Sequence, residues 1–159
     1  MSEFEYIAKD IISSPKFQSL KNEPHHGTTR YNHIMHVAKR TYKISKRMHL
    51  DYVSATRGAL LHDYFNNYEY HNLKGQLKRS KVHPSFALSN AKKDFIINKK
   101  EENIILSHMY PFGNVKPNCK ESWIVTNVDK SCAILECGAY KWRERLTIMF
   151  IFLLNIIHM

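Results

Sequence analysis

Polar positions interrupt the apolar pattern of this chain in a few specific places, and the pattern around them is helical. The spacing of apolar residues predicts helices over 3–13, 29–48, 52–64, 85–96, 99–108, 120–137 and 139–157. Asp51 suits the N-cap of the third and Asn98 that of the fifth, and Gly138 suits a stop between the last two. "SSP", "NEPHHG" and "MYPFGNVKPN" carry Pro and Gly and read as loops. No segment alternates apolar and polar residues over any length, so strands are not expected. The pattern points to an all-α fold of about six to seven helices in one domain spanning residues 1–159.

Within those helices several polar side chains point where the core should be. "GALLHDYF", Gly58–Phe65, ends an apolar helix on His62 and Asp63. In "TTRYNHIMHVAKRTYKIS" His33 shares a face with Val37, Thr41 and Ile44, while His36 lies about 60° to one side at 100° per residue. In "ESWIVTNVDKSCAIL" Asp129 falls among Val125, Val128 and Cys132, and in "ENIILSHMYP" His108 shares a face with Ile104 and Ile105. A buried histidine needs only a hydrogen bond, but an unpaired buried carboxylate costs several kcal/mol, so Asp129 needs a cation. Its neighbour Lys130 points elsewhere. A divalent metal held jointly by His33, His62, Asp63 and Asp129 satisfies all four groups, and mixed imidazole and carboxylate donors suit Fe, Mn, Zn, Ni or Co better than calcium.

With 159 residues, 43% hydrophobic and 24% charged, the chain is long and apolar enough to bury a core. Cys119, Cys132 and Cys137 form no CxxC pair, and the acidic start "MSEFEYIAKD" has no apolar signal region, so a cytoplasmic location is expected. The net charge of +10, with basic clusters in "KRTYKISKR", "KGQLKRSK" and "KKDFIINKK", favours an anionic partner. No zinc-finger or RNA-recognition signature accompanies it and interleaved aromatics are sparse, which leaves nucleic acid as a minority reading. Leu146–Ile157 is apolar except for Thr147 and Asn155. At about 18 Å it is too short to span a bilayer core of about 30 Å. It reads as a core helix or as the surface of a homodimer rather than a membrane anchor.

Taken together, "RYNHIMHVA", the "HD" of "GALLHDYF" and "VDKSCA" resemble the HD superfamily of metal-dependent phosphohydrolases over roughly residues 29–137. The family pattern is a lone His, a His-Asp doublet and a distant Asp on a helical bundle. Carried over, these are His33, His62–Asp63 and Asp129. The resemblance implies one or two divalent ions and hydrolysis of a phosphate ester or anhydride in a phosphorylated small molecule or nucleotide. Asp63 would bridge the ions and orient the attacking water.

His83 in "HPSFA" and His108 in "ILSHM" stand in the interval where the family's extra histidines hold a second ion. The chain departs from the cyclic-dinucleotide branch, since it has no "GYP" triplet and reads "HMY" where a doubled histidine would stand. Hydrolases of dinucleoside polyphosphates are another branch it resembles. Arg30, one turn before His33, suits a phosphate clamp, and Lys130 is a weaker candidate for reaching the substrate. The remaining histidines, His25, His26, His36, His49, His71 and His158, fit no position of the pattern and are taken as surface or supporting residues. The alternative class is a non-catalytic HD module that binds a nucleotide or metal and signals through a partner surface.

Overall fold

The computed structural model describes residues 1–25, 27–67 and 76–157, with the side chains of 76–80, 140 and 143–157 left aside. Its order is α1 (Glu3–Ile12), α2 (Pro15–Ser19), a 3-10 turn (Leu20–Asn22), β1 (Pro24–His25), β2 (Thr28–Thr29), α3 (Arg30–Arg47), α4 (Tyr52–Leu61), α5 (Gln76–Asp94), α6 (Lys99–Ser107) and α7 (Lys120–Ile157). The fold is all-α, as the pattern predicts, and α3, α4, α6 and α7 pack on one another around the core. Leu60, Leu61, Ile34, Ile104, Ile105, Val125 and Phe65 are buried there. Each large side chain so buried contributes about 1.5–3 kcal/mol.

The caps set the helix boundaries. Ser2 and Asn98 each accept from the first turn of their helix in a capping box with Glu5 and Glu101, and Asp51 accepts from the Ser54 amide. Ser14 caps α2 ahead of Pro15 at its first position, so part of "SSP" starts a helix rather than a loop.

Three further sequence-based expectations need correction. "NEPHHG" is not a plain loop: Pro24 pairs with Thr29 and His25 with Thr28 in a two-rung antiparallel hairpin. Two rungs are too short to leave an alternating pattern, and Gly27 supplies the positive φ of 80° that the tight turn needs. The helix expected over 85–96 spans 76–94 and passes through Pro84. Proline's fixed φ is compatible with a helix, and one lost backbone hydrogen bond does not end it. Gly138 does not stop a helix either, because α7 runs 38 residues through it, about 57 Å. A helical glycine costs about 1 kcal/mol, which good helix formers such as Ala133, Leu135, Glu136 and Ala139 on both sides outweigh.

No described helix is long and apolar enough to cross a membrane. The homodimer expectation rests on side chains of Leu146–Ile157 that lie outside the described residues, as do most of the basic "KGQLKRSKV" segment and His26, His71 and His158.

Candidate metal centre

α4 and α6 end in the same way. The Nδ1–H of His62 donates to the Ala59 carbonyl at 2.7 Å, and that of His108 donates to the Ile105 carbonyl at 2.7 Å. A carbonyl can only accept, so each ring carries its proton on Nδ1 and turns Nε2 away from its helix. The two helices approach closely because position 58 lacks a side chain: a Cβ on Gly58 would lie 2.7–2.9 Å from three atoms of Ile104. Gly58 and Ile104 each stand one turn before the histidine that ends their helix, and the two rings meet with centroids 4.9 Å apart.

α3 and α7 supply the next pair. His33 is 1% exposed, and its Nε2 lies 3.0 Å from Asp129 Oδ1. His62 Nε2 is 3.6 Å from the same oxygen. The expected residues His33, His62 and Asp129 thus converge, with donor atoms all within 4.8 Å of one another. On the other nitrogen of His33, Nδ1 donates to Glu136 Oε2 at 2.8 Å, and Glu136 Oε1 accepts from His36. Burial alone would lower the His33 pKa, but Asp129 and Glu136 outweigh it and raise it to about 10. The carboxylates that favour a proton on Nε2 also favour a divalent cation there.

Asp63, buried just past the end of α4, divides its two oxygens. Oδ1 faces His83 at 3.4 Å and His108 at 3.6 Å, and these three form a second group of donors within 4.8 Å. Oδ2 faces Arg30 Nη1 at 3.2 Å, His25 at 3.7 Å and His62 at 4.0 Å. Burial would raise the Asp63 pKa, yet the surrounding His62, Arg30, His83 and His25 hold it well below the usual carboxylate range. Asp129 is likewise lowered against its burial, by its bond from His33 and by the positive charge of the nearby His62.

Arg30 does not lie in solvent. It is buried, its guanidinium carbon sits 3.9 Å from the Phe65 ring centroid, and Nη2 donates to Asn67 Oδ1 at 2.7 Å. Its contact with Asp63 makes it a restraint on that carboxylate. Lys130 turns away from the cluster, its ammonium donating to the carbonyls of His108 at 3.0 Å and Thr126 at 3.3 Å. It steadies the end of α6, a place where a cation suits exposed carbonyls.

Two neighbours of the cluster escaped the sequence reading. Glu136 lies seven residues after Asp129, two turns on along the same face of α7, and that spacing is a signal that could have found it. His25 sits in the hairpin, where no helical spacing ties it to the others.

The residues fit a divalent metal. His62 Nε2 and Asp63 Oδ1 are sealed from solvent and make no hydrogen bond. Such atoms cost about 1–3 kcal/mol each unless something compensates them. Both face groups of imidazole and carboxylate donors, the donor chemistry of Fe, Mn, Zn, Ni or Co sites.

A family model described as HD domain matches residues 30–134, about two thirds of the chain. No curated protein and no solved structure matches.

Proposed function

The chain belongs to the HD-domain family, and from that premise we propose that it is a metal-dependent phosphohydrolase. Its substrate class would be a phosphate ester or anhydride of a nucleotide or related small phosphorylated molecule. The family suggests metal-dependent phosphohydrolysis at the coarse level, and the observation that carries the finer reading is the pair of orphaned buried atoms, His62 Nε2 and Asp63 Oδ1, on adjacent residues. They face two groups of donors that share Asp63 as their neighbour.

His33, His62 and Asp129 would hold one ion, His83 and His108 a second, with Asp63 between them. A bound divalent ion would lower the pKa of a coordinated water toward 7 and neutralise charge developing on the phosphoryl oxygens. The chain's own residues do the positioning. Ala59 and Ile105 fix the tautomers of His62 and His108 through their carbonyls. Glu136 orients the His33 ring from behind, as carboxylates do for metal-bound histidines. Arg30 restrains Asp63 and adds a fixed positive charge at the edge of the site. Lys130, committed to backbone carbonyls, is not assigned a part in the chemistry. The net charge of +10 draws anionic substrates toward the protein. A reducing cytoplasm suits the three unbridged cysteines, Cys119, Cys132 and Cys137.

The test is elemental analysis of the purified protein, followed by a screen of phosphorylated substrates with the metal found. Bound transition metal and phosphate release that is lost in Asp63→Asn support the reading. A metal-free protein, or turnover unchanged in Asp63→Asn, overturns it.

A further inference from the structure

His25 lies outside residues 30–134, the span matched by the family model, and on a hairpin rather than a helix. Its position is nonetheless fixed. The Arg30 amide donates to the Glu23 carbonyl at 2.8 Å, and the Asn67 amide donates to Glu23 Oε2 at 3.1 Å. Glu23 thereby ties the hairpin to the start of α3 and to the segment that follows Asp63. The hairpin carries His25 Nε2 to 3.7 Å from Asp63 Oδ2 and its ring to 4.7 Å, centroid to centroid, from that of His33. Donor atoms of His25, His33 and Asp63 lie within 4.8 Å of one another.

We infer that His25 is a further ligand of the ion faced by His33, His62 and Asp129, reaching it from the hairpin. The inference rests on the metal-centre reading above and extends it to a residue outside the HD pattern. His33 and Asp63 point to which ion is concerned. The Nδ1 of His33 is bonded to Glu136, so Nε2 alone is available to a cation, and one lone pair serves one ion. His25, grouped with His33 and with its ring 4.7 Å from that of His33, stands beside this ion's donors. Asp63 agrees, because His25 lies on the Oδ2 side while His83 and His108 lie on the Oδ1 side.

The separation also fits. At 3.7 Å the His25–Asp63 pair is too long for a hydrogen bond. Two donors each about 2.0–2.2 Å from one cation can stand up to about 4.4 Å apart. Arg30 at 3.2 Å from Oδ2 does not block this, since a carboxylate oxygen has two lone pairs. The His25 side chain is 17% exposed, against 1% for His33 and 0% for His62, so this ligand stands on the solvent side of the ion.

The experiment is Co2+ titration of the full chain, followed by visible absorption and by competition with a chromophoric chelator. Wild type is compared with His25→Ala, His25→Gln, His83→Ala and Asp129→Asn, with far-UV circular dichroism to verify folding. His25→Ala and His25→Gln should both weaken one Co2+ by about ten- to a hundredfold, the scale on which even supporting residues of metal sites act, and shift its d–d band. His83→Ala should leave that band in place. Affinity within twofold of wild type with an unchanged band in both His25 variants overturns the inference. If Asp129→Asn loses the ion in the same experiment, the metal centre itself stands. A wild type that takes up no Co2+ overturns both. Should the variants not fold, anomalous diffraction from Co2+-loaded wild-type crystals decides: cobalt bonded to His25 Nε2 supports the assignment, and cobalt bonded to His33 but not to His25 refutes it.

Discussion

The Nε2 atoms of His83 and His108 face each other at 2.8 Å across the boundary between α5 and α6. His108 is neutral, held down to about 3 by burial and by the neighbouring His83 and His62, and its proton is on Nδ1. Its Nε2 therefore offers a lone pair toward His83, and a cation beside Asp63 Oδ1 would take both imidazoles. Replacing His108 by alanine is expected to remove one ion per chain, read by elemental analysis after equilibration with excess metal. Retention of the full complement would show that the two rings are only a hydrogen-bonded pair.

Glu136 is the carboxylate behind His33, and no substitution there touches the ion itself. Glu136→Gln keeps an acceptor for the His33 Nδ1–H but loses the charge, and should weaken metal binding by about tenfold. Glu136→Ala should weaken it by up to about a hundredfold. Competition titrations on folded protein measure both. Equal affinities across wild type, Gln and Ala would remove Glu136 from any part in the site.

Gly58 is expected to tolerate no side chain. A methyl group there would press against Ile104 Cβ and both its branches at 2.7–2.9 Å, so α4 and α6 must separate. Gly58→Ala should cost about 1–3 kcal/mol despite alanine's better helix propensity, because overpacking outweighs a gain of about 1 kcal/mol. Thermal melts give the destabilisation. The double variant Gly58→Ala/Ile104→Val should recover part of it if the contact is the cause.

Acid should loosen the junction of α4, α6 and α7. Burial would raise the Asp51 and Glu121 carboxyl groups, but Asp51 accepts from Ser54 and Lys100, and Glu121 from Lys100 and the Asp51 amide. Both pKa values are lowered on folding. Their contribution to stability is therefore present above the unfolded values, about 3.9 and 4.3, and is lost as pH falls through and below them. Melting temperature should drop on acidification below about pH 4.5, with a shallower drop in Glu121→Gln.

The helices and the four residues of the HD pattern were legible because each is written in spacing. His33, His62, Asp63 and Asp129 interrupt apolar stripes, and a polar group on a core-facing stripe signals its burial without any coordinates. Asp51 and Asn98 announced their helices through cap chemistry in the same way. What could not be read depends on contacts between segments. The hairpin has two rungs, too few for a period, so His25 had no pattern to belong to. Lys130 looked like a neighbour of the site because it follows Asp129, but one step along a helix is a turn of 100°, which sends it to the His108 carbonyl at the end of α6. Gly138 and Pro84 carried the usual marks of a helix boundary, and in both cases the flanking residues prevailed.

The carbonyls of Ala59 and Ile105 give the centre an uneven tolerance to mutation. A backbone acceptor belongs to every residue type, so no substitution at 59 or 105 that keeps the helix can deprive His62 or His108 of its orienting bond. His33 is held instead by side chains, Glu136 on Nδ1 and Asp129 on Nε2, and a substitution at either would take a bond away. Drift in a lineage of this chain would be expected to reach the site first through α7, with the two helix-ending histidines keeping their aim after the third has lost its own.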